Sequence, residues 1–546
     1  MRLLARRLVV GLEGAGLSGA ERSLLSRFPP AGVILFARNV SSLVQLRDLV
    51  DEVCDVMRDA SGNIPLVMAD HEGGRTSVLA DAIGAPPSQM AVARSGDPSL
   101  CAGVFTETAR RLAACGVNTI LAPDADINTE PLNPVIGTRA FGGEPAEVSR
   151  LTVEALHALA AQGLVSCIKH FPGHGDTSID SHKALPALRT AVEILARREF
   201  LPFEAGIEAG ADMVMVGHLA VEEGGLPASL DPWIVDGALR GRISFEGVVI
   251  TDALEMEGVR LAVGDRRPQG ARWSGGPILE LVRRALLAGN DLLLFSNPVG
   301  DVMAGLEGET SGETAGGSIA DLLEGERGRG AVERIETVLM KAARSGKYGV
   351  RGDATGIEER LFDDTAYLKV AERSVQVLRD PTSRLPVPAG TRCRLRFAGE
   401  MRDFENGVVR SFIDGLRAVF GDLVPGASVG PLPERQLEGN GLPGGAAAMA
   451  PGSVAGMRIF ETPPDGTVGK GPLILVLLDR RPLDRAALSK LCEGVDVAAV
   501  CGWPYAGDLF PPGMTVICSY GLGAAVPERI RTLCFGARRN GRPPGV

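Results

Sequence analysis

Aromatic residues are scarce in this chain: 546 residues hold three Trp and four Tyr. That scarcity argues against a long binding cleft paved with rings. Paired cysteines are missing too. The nine cysteines are scattered and odd in number, and no Cys-x-x-Cys occurs. That argues against a disulfide framework or a zinc ribbon and for reduced, buried thiols in a cytoplasm. Excess positive charge is absent. At a net charge of −10 there is no basic patch to suggest nucleic acid or an anionic membrane as partner. Long apolar runs are absent as well. The opening MRLLARRLVVGLEG is soon broken by Gly and Glu, and no small-residue cleavage site follows. It reads as a first strand, not as a signal peptide or a membrane span.

What is present fits a globular protein of two or three domains, 45% apolar and 23% charged. Eight apolar runs recur at 8–12, 32–37, 65–69, 117–123, 164–169, 211–217, 247–251 and 291–295, with helical stretches between several of them. Continuous apolar runs imply strands buried on both faces, hence a parallel sheet. Eight strand–helix units predict an α/β fold, an N-terminal (β/α)8 TIM-type barrel. A doubly wound sheet is disfavoured because no phosphate-binding glycine fingerprint follows the first run. The barrel domain is expected over 1–350, with a flexible Gly/Glu-rich insertion at about 297–331 and a helix at 332–345. A linker at 351–365 leads to a smaller α/β sandwich domain over 366–546. Its strands are expected near 374–378, 393–399, 473–479, 495–502 and 514–521, with a long Gly/Pro-rich loop at 424–470.

Barrel enzymes place their chemistry at the C-terminal ends of the strands. Here those ends read Arg38-Asn39, Asp70-His71-Glu72, Asp124, Lys169-His170, His218, Asp252 and Ser296-Asn297. Residues 169–186, KHFPGHGDTSIDSHKALP, concentrate three of the six histidines. His170 and His174 have the spacing of a helical metal pair, but Pro172 and Gly173 lie between them and Lys169 is adjacent, which weighs against zinc. A polar loop without chemistry stays open as a reading. In an extended segment Asp180 and His182 project to one side, so Asp180 can stabilise a protonated His182, a credible proton donor near neutral pH. Asp252 follows a buried strand. It is either a nucleophile or the N-cap of the next helix.

Four stretches together, KHFPGHGDTSIDSHKALP, NPVIGTRAFG (133–142), DHEGGR (70–75) and ITDALEM (250–256), resemble the family 3 glycoside hydrolases, and within them the β-N-acetylhexosaminidases. The second domain is similar to that family's α/β sandwich but more diverged. The resemblance implies Asp252 as nucleophile, His182 as acid/base, Asp180 as its partner, and Asp70, Arg139, Lys169 and His170 as sugar-binding residues. His218, at its strand end, is grouped with them as substrate-binding. The sequence departs from the family at Val78, where an arginine is common, and at 263–276; both bear on contacts beyond the first sugar.

The expectation is a retaining exo-β-N-acetylglucosaminidase without metal or organic cofactor. It would take a small glycoside with a terminal N-acetylglucosamine, and would act in the cytoplasm on cell-wall fragments in peptidoglycan recycling. The few aromatics suit a pocket for one sugar. A phosphorylase and a non-catalytic sugar-binding protein are the alternatives.

Overall fold

A computed structural model describes residues 1–131, 133–177, 185–188, 192–222, 225–265, 277–307, 318–345 and 362–379. Beyond these it describes 394–400, 412, 434–436, 457–461, 473–477, 492, 495–501, 510, 514–521 and 526–535. The chain forms two compact units. The first comprises Met1–Glu72, Thr76–Gly84 and Cys101–Asp364; the second comprises Gly73–Arg75, Ala85–Leu100 and Thr365–Val546.

Eight parallel strands build the first unit: β1 (Leu8–Gly11), β2 (Gly32–Leu35), β3 (Leu66–Ala69), β4 (Thr119–Ile120), β5 (Val165–Phe171), β6 (Met213–Val216), β7 (Val248–Thr251) and β8 (Leu293–Pro298). From β1 to β7 each pairs with its neighbour in sequence, and β8 pairs with β1. A bridge between Ile250 and Leu292 joins β7 to the approach of β8, so the barrel is nearly closed.

The apolar runs explain themselves once the two faces are separated. Val9, Ile34, Met68, Leu121, Cys167, Met215, Ile250 and Leu294 share one buried cluster inside the barrel. Ile168, Val214, Val216 and Val249 belong to a second cluster with Phe200, Phe203 and Ile234, where helices cover the sheet. Alternate side chains thus serve two cores, and of the eight strands only the C-terminal half of β8 is partly exposed. Burying each such side chain contributes about 1.5–3 kcal/mol before the ordering cost is subtracted. The same alternation aims the site. Val165 and Cys167 point inward, and Lys169 continues that series at the C-terminal end of β5.

Helices follow the expected pattern. Leu43–Ser61 turns Leu43, Leu46, Leu49, Val50, Val53 and Met57 to the core, and Ser42 caps its start by accepting from Gln45 N. The stretch 297–331 differs from the expected flexible insertion. Val299–Glu307 and Ile319–Glu324 are helices, and the long helix begins at Glu326, not near 332. Buried Val302 and Leu306 and a Ser318–Asp321 capping box outweigh the Gly/Glu composition there. Residues 308–317 lie outside the described residues.

The second unit holds a mixed seven-stranded sheet: β9 (Gln376–Arg379), β10 (Arg394–Glu400), β11 (Glu434–Gln436), β12 (Met457–Glu461), β13 (Leu473–Leu477), β14 (Val497–Val500) and β15 (Thr515–Cys518). Its order is β9-β15-β14-β13-β10-β12-β11. The two strands at one edge, β11 and β12, fall within the expected 424–470 loop. They pair antiparallel with each other, and β12 pairs antiparallel with β10. Among the described residues no helix is long and apolar enough to cross a membrane.

Candidate active site

The C-terminal ends of β3, β4, β5 and β7 bring a set of ionisable side chains together. Lys169 Nζ reaches Asp70 Oδ1 and Glu72 Oε1, each at 2.5 Å. Arg139, in a short 3-10 turn at Gly137–Arg139, grips Glu72 with two N–H groups at 2.9 and 2.8 Å. Its Nη2 also lies 3.1 Å from His170 Nε2. On the other side His170 Nδ1 lies 2.8 Å from Asp126 Oδ2. Arg139 can only donate, so His170 accepts at Nε2 and donates from Nδ1 to Asp126. The ring is therefore neutral in this arrangement.

Electrostatics agree with that assignment. Burial, then the Arg139 and Lys169 charges, drive His170 well below its ordinary range. Burial pushes Glu72 up, but Arg139 and Lys169 outweigh it and hold the carboxyl below the usual range. Burial opposes the Lys169 ammonium, and Asp70 and Glu72 outweigh that and raise it. Asp124 behaves in the opposite way: burial and the Asp126 charge lift it well above the carboxylate range.

The carboxylates differ in access. Glu72 is 1% exposed, whereas Asp70 is 25% exposed. Asp70 is the one a ligand can touch, with Lys169 and Glu72 behind it. Asp124, Asp126 and His170 bring ligand atoms within 4.8 Å of one another, the spacing of a metal site. The Arg139 guanidinium, 3.1 Å from His170 and 3.6 Å from Asp124, already stands beside that cluster as its cation.

Asp252 lies across the mouth, directly after β7. Its Oδ1 accepts from Ala253 N at 2.8 Å, and its own N–H bonds Val216 O at 2.9 Å. It does not cap the next helix, Glu257–Ala262, whose N-cap is Met256. His218 is fully buried with both ring nitrogens engaged: Ser229 Oγ lies 2.7 Å from Nδ1 and Ala253 O lies 2.9 Å from Nε2. The carbonyl can only accept, so Nε2 carries the proton and Nδ1 accepts from the serine. His218 thus braces the Asp252–Ala253 turn and presents neither nitrogen to a ligand, unlike the direct contact expected of it. Asp180 and His182 lie outside the described residues.

Sequence reasoning did not single out Glu72, Asp126 or Glu255 as site residues. Asp126 bears a faint signal, the Asp-x-Asp alternation after β4. Glu255 follows Asp252 by three positions, and its Oε1 accepts from Ser296 N at 2.6 Å and from Ser296 Oγ. Burial and the Asp252 charge push it up to about 7.

The family model described as the glycosyl hydrolase family 3 N-terminal domain matches residues 11–316. A β-hexosaminidase of Psychromonas ingrahamii is 34% identical over 298 residues, 54% of this chain and 83% of that protein. One of Xanthomonas axonopodis pv. citri is 32% identical over 334 residues, 60% and 92% of the two chains. Against β-hexosaminidase A of Pseudoalteromonas piscicida, 32% identical over 261 residues, the match spans 43% of either chain. Among solved structures, a family 3 β-N-acetylglucosaminidase from Paenibacillus sp. superposes with a TM-score of 0.72 at 24% identity, covering 98% of this chain and 96% of that one. A β-glucoside phosphorylase gives 0.71 at 20%, covering 98% and 92%. These two likenesses establish the fold. The match over 11–316 spans more than half of the chain, which therefore belongs to glycosyl hydrolase family 3.

Proposed function

We propose that this protein is a retaining exo-β-N-acetylglucosaminidase acting on small glycosides of cell-wall origin. The observation that carries the proposal is the placement of Asp252 across the barrel mouth from the Asp70–Lys169–Glu72–Arg139–His170 network. The β-hexosaminidase relatives support the choice of sugar.

In this reading Asp70, held by Lys169, accepts from ring hydroxyls, and Arg139 and His170 line the same pocket. An Asp252 oxygen attacks the anomeric carbon, forming a C1–O ester as the C1–O bond to the aglycone breaks. His182, partnered by Asp180, gives its proton to the departing oxygen. Neutral again, it takes a proton from water, which attacks C1 and releases Asp252. His218 has a positioning role through Ala253. No step calls for a metal or organic cofactor, and a cytoplasmic place in peptidoglycan recycling belongs to the same reading.

Charge favours water over phosphate as acceptor. When the acceptor arrives Asp252 is an uncharged ester, and the remaining carboxylates Asp70, Glu72 and Asp126 still outnumber Lys169 and Arg139, so an incoming dianion meets net repulsion. The test is a 2-fluoro glycosyl inactivator, which should add its mass to a peptide containing Asp252. Labelling elsewhere, or sugar 1-phosphate as the main product in phosphate buffer, overturns the respective part.

A further inference from the structure

Beyond β5 the chain is pinned to the barrel at several successive points, two of them through carboxylates. His174 N donates to Asp126 Oδ1 at 2.6 Å, the carboxylate that also holds His170. Two residues on, Asp176 Oδ2 accepts from Arg198 Nη2 at 3.0 Å, and its Oδ1 accepts from Thr129 Oγ1 at 3.3 Å. Arg198 is itself seated by Glu199, whose Oε1 accepts from Arg198 Nε at 2.6 Å. Glu199 is fully buried. It immediately precedes the helix Phe200–Glu208, which is locked to β5 by Phe171 against Phe200 and Phe203 at ring separations of 5.0 and 5.3 Å.

Placing a carboxylate in the interior is costly unless it is used. Here one oxygen orients Arg198. The other makes no hydrogen bond among the described residues and lies against Gly173. At Gly173, φ is +123°, and a Cβ would stand 2.9 Å from Glu199 Cβ and 3.0 Å from Glu199 Oε2. Glycine is required there, and the close approach fits the loop root onto the Arg198–Glu199 pair. Asp176 stands four positions before Asp180, and Thr177 beside it accepts from Asn133 Nδ2 at 3.4 Å. Neither Arg198 nor Glu199 has a part in the steps proposed above.

We propose that Arg198, seated by Glu199, is a positioning residue for general acid catalysis: by holding Asp176 it fixes the loop root four residues ahead of Asp180 and six ahead of His182 in the sequence. The inference rests on the assignment of His182 as the acid/base. A positioning residue of this kind has a signature that a merely structural one lacks. Its loss matters in proportion to the leaving group's need for a proton. Nitrophenolate leaves readily without help, and a sugar alkoxide does not.

The experiment compares kcat/KM for a GlcNAc-terminated disaccharide and for nitrophenyl N-acetylglucosaminide in the full-length protein, with His182→Ala as reference. That reference should lose about 10²–10⁴-fold on the disaccharide and far less on the nitrophenyl substrate. Arg198→Ala and Asp176→Asn should show the same selective loss, smaller in size, on the order of 10-fold or more. Arg198→Lys should recover part of it, and the Arg198→Ala/Asp176→Asn double variant should lose no more than the worse single one. Asp176→Asn keeps the side-chain shape and serves if Arg198→Ala folds poorly. Equal losses on both substrates, or no loss, overturn the positioning role while leaving His182 intact. An unselective His182→Ala result overturns the acid/base assignment and this inference with it.

Discussion

His218 Nε2 donates to the carbonyl of Ala253 at 2.9 Å, one residue beyond Asp252. The same turn is held from the other side, where Ala253 N donates to Asp252 Oδ1 at 2.8 Å. The orientation of the Asp252 carboxylate is therefore set by its neighbour's peptide, and that peptide by a histidine on the adjacent strand end.

Replacing His218 should separate binding from chemistry. His218→Ala leaves the Ser229 hydroxyl and the Ala253 carbonyl unpaired in a buried place, at about 1–3 kcal/mol each. Stability should fall, and kcat for the nitrophenyl substrate should drop about 10-fold or more while KM changes little, since no sugar contact is lost. A raised KM with unchanged kcat would mean that His218 touches the sugar after all.

Arg139 and lysine are not equivalent here. Arg139 spans two Glu72 oxygens and still places Nη2 at His170 Nε2. A lysine offers one point charge on a flexible stem and cannot do all three. Arg139→Lys keeps the charge but loses the fork, and should weaken a GlcNAc-like competitive inhibitor about 10-fold or more while burial and the retained cation keep His170 well below its ordinary range. Imidazole NMR of the wild type reads the ring's protonation, and a His170 ring carrying protons on both nitrogens at neutral pH argues against the neutral-ring assignment.

Much of the barrel could be read from the sequence because eight strands are buried on both faces, which writes each of them as a short run of Val, Ile, Leu or Met. Candidate residues were equally visible, since Asp70, Lys169, His170 and Asp252 stand where those runs stop. What could not be read was partnership. Glu72 and Arg139 are 67 residues apart and meet only because β3 and the turn after β4 share the barrel mouth. His218 was legible as a strand-end histidine but not as a brace, because its role depends on the rotamer that turns it toward Ala253. In the second unit β11 and β12 are short antiparallel strands near Gly- and Pro-rich sequence, where composition masks the pairing.

Gly175 gives a prediction that depends on backbone alone. A Cβ at this position would meet Ile127 O at 1.9 Å, and neither atom belongs to a flexible side chain. Gly175→Ala must therefore displace the loop root from Ile127. Gly175 O also accepts from Glu130 N at 3.1 Å, so the shift spreads to the β4 loop carrying Asp126. Activity should fall by about 10-fold or more with a smaller change in melting temperature, since the strain is local. Wild-type turnover in Gly175→Ala would show that this close approach is dispensable.

Glu255 predicts a pH dependence of stability. Burial first, then the Asp252 charge, lift its carboxyl from 4.5 to about 7 in the folded state, against the pull of Ser296 N–H and Arg38. Between those values the folded protein keeps a proton that the unfolded chain has released. More protons bound in the folded state means that stability falls as pH rises. The contribution is complete below about 4.5, declines through the window and is gone above about 7. A gap of that size corresponds to about 3 kcal/mol. Glu199, also lifted to about 7 by burial, adds a decline of the same sign. Glu255→Gln keeps an oxygen for Ser296 and removes the ionisation. Its unfolding free energy, measured against denaturant at steps from pH 5 to 7.5, should fall less steeply than that of the wild type. The two should diverge in favour of Glu255→Gln as pH rises, with Glu199 sustaining the remaining slope. Parallel curves over that range would mean that Glu255 is ionised throughout, and that Asp252 shares the mouth with a second negative charge.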